Sequence, residues 1–253
     1  MSQWVRFGRT GIQATLLVTA AVLALGQVGQ DNGPAFAPAA ALAAAATTAA
    51  QEFESYPEGT WAEGSTYGPW RVIYNGYGQV GIESDGTKVH FQRPQAAMSS
   101  GETHACLVVS TGSYGDLMVT LRAKTVRQLR QNSPPNPWET AWVLWHYSDN
   151  QHFYYFALKT NGWEIGKEDP AYPGSQRHLA TGSAPTFSLG RWYQVRVQQV
   201  GATTSVWVDD QEVVSFTDTE RPYVAGAVGL YTEDAHARFG DVTIASVLTA
   251  TAR

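Results

Sequence analysis

The chain has 253 residues, of which 22 are acidic and 17 are basic, so its net charge is −5. This length suits one domain with a full-sized core, and the mild acidity argues against nucleic acid or an anionic membrane surface as the main partner. The single cysteine, Cys106, excludes a disulfide framework and is predicted to be a buried, unreactive thiol in a strand.

The first fifty residues differ in character from the rest of the chain. Arg6 and Arg9 precede an apolar run over residues 12–26, which is the pattern of a secretory signal. The run is shorter than the roughly 20 residues that a membrane span needs. We therefore expect a secreted, extracellular protein without stable membrane insertion after cleavage, and an uncleaved anchor is the alternative. The predicted organisation is a signal peptide region over residues 1–33, an Ala-rich linker over 34–50 and a folded domain over 51–248.

The folded part shows almost no helix signals. Apolar and polar residues alternate instead, in short runs broken by Gly, Pro, Asn or Asp, which is typical of strands. These runs cover residues 116–126, 140–148, 152–160, 192–200, 203–218, 226–234 and 237–244. Asp209 and Asp210 predict a hairpin turn within the fifth run. The pattern indicates one all-β domain, an antiparallel sandwich or barrel.

Two segments between these runs are predicted to be loops. Residues 127–139 are Pro-rich and include Trp138, and residues 161–182 are rich in aromatic and charged side chains. Loops at the edge of a sandwich often wall a binding groove. A rigid connector is the alternative for the first loop.

Alternation also assigns side chains to faces, because successive residues of a strand point to opposite sides. The short turn over residues 148–151 predicts a hairpin between the second and third runs. Its core-facing rings are predicted to be Trp145, Tyr154 and Phe156. The side chains predicted to share one exposed sheet face are Trp142, His146, Tyr155, Lys159, Arg122 and Lys124.

The order of four segments resembles the concanavalin A-like, laminin-G-like jelly-roll superfamily of secreted carbohydrate-active proteins. The matching segments are residues 53–61, 145–159, 190–218 and 227–244, and the last has Gly240 where Asp is common in that superfamily. The resemblance spans residues 52 to 246 and implies a β-sandwich with a polysaccharide or oligosaccharide ligand. It implies no single activity, because the superfamily includes lectin-like modules, glycosidases and polysaccharide lyases.

The resemblance also implies a structural calcium ion. In many relatives the two chain ends meet and share this ion, and the matching carboxylates here are Glu52, Glu54 and Asp241. Carboxylate oxygens suit a hard cation. No organic cofactor is expected, and an unmetallated surface acid is the alternative for each of these residues.

The residues weigh against a hydrolase of the retaining glucanase type, which would show Glu-x-Asp-x-x-Glu on one strand. No such string occurs, and Glu164 and Glu168 are predicted to be loop carboxylates. A lyase acting on uronic-acid glycans needs a base and a group that neutralises the carboxylate. His146 or Tyr155 would be the base, with Arg122 and Lys159 beside it.

The sequence therefore predicts a secreted, monomeric protein that binds or acts on polysaccharide through an aromatic and cationic sheet face. Whether it is an enzyme stays open, and a lyase, a glycoside hydrolase and a non-catalytic surface protein remain alternatives. The candidate catalytic residues, if it is an enzyme, are His146, Tyr155, Arg122 and Lys159. The candidate sugar-binding residues are Trp142, Lys124, Trp138, Trp163, Tyr172 and Arg177.

Overall fold

The computed structural model describes residues 48–51 and 53–247, with side chains from Phe53 onward. The predicted signal peptide, nearly all of the predicted linker and Glu52 lie outside the described residues, so the predictions made for them stay predictions. Among the described residues, no helix is long and apolar enough to cross a membrane.

The described residues form seventeen strands and one 3-10 turn, Phe53–Ser55. The first eight strands are β1 (Thr48–Gln51), β2 (Gly59–Trp61), β3 (Thr66–Tyr67), β4 (Trp70–Tyr74), β5 (Gln79–Asp85), β6 (Thr87–Arg93), β7 (Ala105–Ser110) and β8 (Leu117–Gln128). The remaining strands are β9 (Ala141–Asp149), β10 (His152–Lys159), β11 (Gly162–Glu168), β12 (Gln176–Gly182), β13 (Tyr193–Val200), β14 (Thr203–Val208), β15 (Gln211–Thr217), β16 (Ala227–Glu233) and β17 (Ala235–Ser246).

These strands form two antiparallel sheets, which confirms the predicted β-sandwich. Sheet A has the order β15-β14-β13-β8-β17-β6-β5-β2, with β1 paired to β17. Sheet B has the order β12-β11-β10-β9-β16-β7-β4-β3. Because β1 pairs with β17, the beginning and the end of the described domain lie side by side.

The main core lies between the sheets and takes alternate residues from both. Val119 and Val195 of sheet A meet Val143, Trp145 and Phe156 of sheet B in one buried cluster. A second buried cluster consists of sheet B residues that point the other way, away from sheet A. We call this side the outer face of sheet B. Its fully or largely buried members are Leu107, Val109, Trp142, Leu144, Phe153, Tyr155, Ala157 and Tyr231.

The predicted hairpin between the second and third runs is confirmed. Strands β9 and β10 pair with Trp145 opposite Tyr154 and Leu144 opposite Tyr155. Trp145, Tyr154 and Phe156 are buried between the sheets, as predicted. The β14–β15 hairpin is also confirmed, and Asp209 and Asp210 form its turn with φ of 49° and 63°. Cys106 is fully buried, as predicted.

The prediction of a long loop over residues 161–182 is wrong. The segment contains strands β11 and β12, joined by a turn. Trp163, Ile165 and Lys167 point inward on β11 while Glu164 and Glu168 point outward, and all of them are buried. The side chains of this strand do alternate between the two faces. Because charged side chains are buried on both faces, the sequence does not show the alternation of apolar and polar residues that usually marks a strand.

The prediction of one shared cationic face is also wrong. Arg122 and Lys124 lie on β8 in sheet A, whereas Trp142, Tyr155 and Lys159 lie in sheet B. Strand pairing across a chain of this length joins segments that are distant in sequence, and periodicity within one strand carries no information on which sheet it joins.

The predicted exposure of the rings is wrong as well. Trp142 is 3% exposed, Tyr155 0% and His146 1%. Trp142 and Tyr155 do point away from the core, but the outer face of sheet B is itself closely packed. His146 has φ of 50° at an irregular position of β9, which breaks the alternation and turns its ring toward Tyr154.

Candidate functional site

A polar cluster lies on the outer face of sheet B, at its β10–β12 edge. Its centre is the Glu164 carboxylate on β11, which is almost fully buried. Oε1 of Glu164 accepts a hydrogen bond from the Tyr155 hydroxyl at 2.7 Å and lies 3.0 Å from Nδ1 of His178. Oε2 accepts from the Lys159 ammonium at 3.1 Å. We call Glu164, His178, Tyr155 and Lys159 the Glu164 cluster.

Three neighbouring strands position this cluster. Tyr155 and Lys159 are four residues apart on β10, so they share a face with each other. Glu164 stands on β11 opposite Ala157, between the two. Gln176, the first residue of β12, donates to the Tyr155 hydroxyl at 2.9 Å. A phenol, an ammonium and an imidazole therefore all lie within hydrogen-bonding distance of one carboxylate.

Gly166 allows the Tyr155 ring to lie flat across β11. A Cβ placed on Gly166 would come within 2.4 Å of the Tyr155 hydroxyl oxygen. Any larger residue would collide with the phenol, so the sequence Glu-Ile-Gly at residues 164–166 serves the contact between Tyr155 and Glu164.

The cluster keeps Glu164 ionised. Burial by itself raises the pKa of a carboxylate, but here the His178 hydrogen bond and charge, the Tyr155 hydrogen bond and the Lys159 charge outweigh it and lower the Glu164 pKa to about 2. Glu164 is therefore a permanent hydrogen-bond acceptor at neutral pH, not a proton donor.

His178 is the exposed member of the cluster. Its side chain is 52% exposed, compared with 5% for that of Glu164. An ionised carboxylate only accepts hydrogen bonds, so Nδ1 of His178 carries a proton in the neutral ring as in the charged one, and Nε2 holds a lone pair whenever the ring is neutral. Within the described part of the chain, Nε2 has no hydrogen-bond partner. A carboxylate that orients an imidazole in this way is a recurring arrangement for general base chemistry.

Aromatic rings continue the outer face beyond the cluster. The Trp142 ring stacks on Tyr155 at 4.8 Å between ring centres and meets Tyr231 at 5.1 Å. The Tyr231 hydroxyl donates to Glu233, and burial together with that carboxylate raises the Tyr231 pKa. The half-buried Trp138 packs against this band, and its carbonyl accepts from the Trp142 indole at 2.7 Å. These packed rings support Tyr155 and with it the Glu164 cluster.

The structure brings together only some of the residues proposed from the sequence. Tyr155 and Lys159 belong to the Glu164 cluster, and Trp142 and Trp138 lie beside it. His146 does not, because its two ring nitrogens are 2.7 and 2.9 Å from the carbonyls of Tyr223 and Gly115.

The other proposed residues lie elsewhere. Arg122 and Lys124 flank the Trp192 ring on sheet A, at 4.9 and 4.7 Å from its centre. Trp163 is buried among inward-facing residues. The Tyr172 ring stacks under Arg177, whose guanidinium pairs with Asp218 and Glu220.

The described residues do not form a complete calcium site. Asp241 forms an ion pair with Arg122, and the Glu54 carboxylate accepts the Lys88 backbone N–H at 2.9 Å. In the described part of the chain, no three His, Cys, Asp or Glu side chains are grouped to hold a metal ion. The two described donors do not fit calcium by themselves, and the prediction depends on Glu52.

Sequence reasoning named His178 among the residues of the second loop that could line a groove, but it missed Glu164 as a functional residue and missed the pairing of the two. Glu164 was assigned to a loop, although Glu164, Gly166 and Glu168 alternate with Trp163, Ile165 and Lys167 in the way a strand requires. That alternation was the available signal. The contact between Glu164 and His178 follows from the β11–β12 pairing, which the sequence does not specify.

Comparisons with known proteins agree with this fold. A family model described as the 3-keto-alpha-glucoside-1,2-lyase-like domain matches residues 53–245. A search of the curated proteins finds no match to this chain.

Three solved structures have a similar fold. A carbohydrate-binding module, CBM66 from Bacillus subtilis, has a TM-score of 0.52 at 15% identity, covering 70% of this chain and 96% of that one. The beta-glucanase of Bacillus licheniformis has a TM-score of 0.52 at 9% identity, covering 79% and 98%. A Bacillus subtilis protein with a galectin-like fold has a TM-score of 0.51 at 10% identity, covering 72% and 91%. Likeness at these identities shows the fold alone, and it confirms the concanavalin A-like jelly roll.

Proposed function

Because the chain belongs to the 3-keto-alpha-glucoside-1,2-lyase-like domain family, we propose that it binds a saccharide on the outer face of sheet B and cleaves a 3-keto glucoside there by elimination. One observation carries the proposal: the exposed His178 imidazole is oriented by the buried Glu164 carboxylate at 3.0 Å. This pair provides a base on the saccharide-facing edge of the sheet.

The chemistry follows from the substrate class in the family name. A ketone at C3 makes the hydrogen on C2 acidic. His178 Nε2 takes this proton, the electron pair forms a double bond between C1 and C2, and the C1–oxygen bond breaks. The protonated imidazole then gives the proton to the departing oxygen, so one group acts first as base and then as acid.

The other members of the cluster have supporting roles in this proposal. Glu164 holds the His178 ring in one tautomer and stabilises its charged form. The Lys159 ammonium, 3.1 Å from Glu164, is the cation of the cluster, and in this proposal it stabilises the negative charge that develops on the C3 oxygen. The Tyr155 hydroxyl donates to Oε1 of Glu164 and is itself held by Gln176.

The decisive experiment uses p-nitrophenyl 3-keto-α-D-glucopyranoside as the substrate and measures release of p-nitrophenol. We expect His178→Ala to lower kcat/KM by roughly 10²- to 10⁴-fold, the usual contribution of a general acid–base group. His152→Ala is the matched control, because His152 also lies against a carboxylate, Asp149 at 2.8 Å, on a more distant part of sheet B. Equal loss in both variants would contradict the assignment of the base.

Product analysis separates elimination from hydrolysis. Elimination leaves a ketone with a double bond between C1 and C2. Hydrolysis instead leaves 3-keto-glucose, in which C1 carries a hydroxyl group taken from water. Finding only the hydrated product in the earliest time points would show that water, not C2 deprotonation, cleaves the bond.

Binding without turnover is the second candidate function. The observation in its favour is that Glu164 already has a donor on both oxygens and stays ionised, as a fixed recognition group would. Saccharide binding that persists in His178→Ala, with no nitrophenol release by the unaltered protein, would establish this alternative. In either case we propose a secreted protein, from the N-terminal signal pattern.

A further inference from the structure

A cavity opens on the outer face of sheet B at some distance from the Glu164 cluster. It has a volume of about 500 Å³ and lies where β4, β7 and β16 meet the β9–β10 hairpin. Strand β4, at the far side of the cavity, is five steps from β11, which amounts to roughly 24 Å at about 4.8 Å a step. A ligand that reaches both places is therefore an oligosaccharide longer than a disaccharide.

The cavity combines an apolar floor with a polar rim. Ile73, Val109 and Tyr147 line it with hydrocarbon and one half-buried aromatic ring. The polar lining consists of Ser110, Thr111, Ser148, Asn150, Asp149 and Arg71. Rings that take the apolar face of a sugar, with hydroxyl and amide groups around them, are the usual composition of a saccharide subsite.

Arg71 is the notable group of this cavity. It stands on β4 between Trp70 and Val72, both fully buried in the core, so its own side chain points to the outer face. Among the described residues, the Arg71 guanidinium forms no hydrogen bond and no ion pair, and its positive charge acts on the Tyr147 phenol in the same lining. The guanidinium groups of six other arginines each pair with a carboxylate: Arg122, Arg130, Arg177, Arg191, Arg221 and Arg238. Arg93, Arg127 and Arg196 do not, so what distinguishes Arg71 among the described arginines without a carboxylate is its place in the lining of this cavity.

The one carboxylate in the cavity does not neutralise Arg71. Asp149 instead accepts from the backbone N–H of Gln151 at 2.7 Å and lies 2.8 Å from His152 Nδ1. The guanidinium thus presents its planar set of N–H donors to the cavity. Arginine in this state suits bidentate recognition of a carboxylate.

We propose that this cavity is a subsite for a uronic acid unit, with the Arg71 guanidinium binding the sugar carboxylate. The inference rests on the proposed saccharide-binding role of the outer face of sheet B, and it adds an acidic oligosaccharide as the ligand class. The sequence suggested Arg122 as the group that neutralises the sugar carboxylate in a lyase. In this proposal Arg71 has that role, because it lies on sheet B, whereas Arg122 lies on sheet A.

The test uses uronate trimers and their methyl esters as probes. The panel contains trimers of galacturonate, mannuronate and guluronate, each beside the ester that differs only in lacking the charge. Isothermal titration calorimetry on the full protein should show at least one acid binding roughly tenfold more tightly than its ester, as a charge-assisted bidentate pair predicts. Arg71→Gln should remove this preference and leave the ester affinity unchanged.

Two further variants make the test specific. Arg127→Gln is the matched control, because Arg127 is an exposed arginine on β8 of sheet A and its loss changes the net charge equally. It should keep the preference for the acid. Arg71→Lys retains the charge without the planar fork and should retain only part of the preference.

Three outcomes would overturn the inference: no uronate trimer binds, acid and ester bind equally to the unaltered protein, or Arg127→Gln loses the preference as well. The nitrophenol assay keeps this result apart from the proposed reaction. If the protein cleaves the keto-glucoside but does not prefer the uronate to its ester, only the proposed subsite is contradicted. If it prefers the uronate but does not cleave the keto-glucoside, only the proposed reaction is contradicted.

Discussion

At the scale of single residues, the Glu164 carboxylate dominates the chemistry of the site. It is buried, yet three donors on the two neighbouring strands, Tyr155 and Lys159 on β10 and His178 on β12, hold it in the ionised state. Removing a buried carboxylate with such partners affects stability and the orientation of His178 together. The pH dependence of the unfolding free energy isolates the effect on stability.

Glu164→Gln should lose stability at neutral pH and approach the unaltered protein in acid. The folded pKa of Glu164 is about 2 and its ordinary value is 4.5. Since the folded pKa is the lower one, the stabilisation is complete above pH 4.5 and disappears as pH falls toward 2. The difference amounts to about 3 kcal/mol at neutral pH. Urea unfolding at several pH values between 6 and 2 measures it.

Glu58→Gln is the control for this prediction, because Glu58 is an exposed glutamate outside the cluster. We expect it to change the unfolding free energy by less than about 0.5 kcal/mol. A Glu164→Gln effect that stays constant from pH 6 to pH 2 would mean that the lost stability does not come from the charge.

Gly166→Ala tests the contact that places Tyr155. The added methyl group would lie 2.4 Å from the Tyr155 hydroxyl oxygen and 2.7 Å from the Arg177 carbonyl oxygen. Backbone atoms cannot yield cheaply, so we expect a loss of about 1–3 kcal/mol in unfolding free energy. Differential scanning calorimetry measures the change.

Two variants frame the Gly166 result. Gly101→Ala should be close to neutral, because no atom lies within 4 Å of its added methyl group. Gly166→Ala should cost somewhat less in a Tyr155→Phe background, where the oxygen at 2.4 Å is absent and the ring carbon at 2.6 Å remains. Equal costs in both backgrounds would mean that the Tyr155 hydroxyl contributes no strain, which would then come from the ring carbon and the Arg177 carbonyl.

At the scale of elements, the long connection between β8 and β9 is held by one buried arginine. Nε of Arg130 lies 2.5 Å from Oε1 of Glu139, and its Nη2 lies 2.8 Å from Oδ2 of Asp234. These side chains are at most 1% exposed. The cluster joins the Pro-rich loop to the turn between β16 and β17, and thereby positions Trp138 beside the outer face of sheet B.

Arg130→Ala should destabilise the fold strongly, because it leaves two carboxylates buried without their cation. Breaking a buried pair in this way costs about 3–5 kcal/mol. Urea unfolding of the variant measures the loss, with Arg127→Ala as the exposed control on the same stretch of chain. A loss below about 1 kcal/mol would indicate that water or neighbouring donors replace the guanidinium readily.

At the scale of the whole molecule, the two chain ends of the domain meet through the β1–β17 pair. Calcium bound at this place would link them. A chelator should then lower the melting temperature, and Asp241→Asn should reduce that effect. A melting curve that does not move, together with no metal in elemental analysis, would reject the calcium prediction.

The mature protein should begin between residues 35 and 52. The basic start, the apolar run over residues 12–26 and the Ala-rich stretch that follows form the pattern of a cleaved secretory signal. N-terminal sequencing of material from the culture medium checks this. A membrane-bound product that retains residue 1 would contradict it.

The sequence by itself determined the fold class and much of the local structure. Strand periodicity and turn residues predicted the β9–β10 and β14–β15 hairpins and the core positions of Trp145, Tyr154 and Phe156, because side-chain alternation and tight turns are local properties. The segment order then indicated the jelly roll.

Only the tertiary structure decided which strands share a sheet and which faces are covered. Arg122 and Tyr155 both lie on well-predicted strands, yet they belong to different sheets. Trp142 points outward as its strand requires, but the outer face of sheet B is packed. The Glu164–His178 contact joins two adjacent strands that the sequence did not show as strands. Sheet order and burial arise from pairings between distant segments, and strand periodicity carries no record of these.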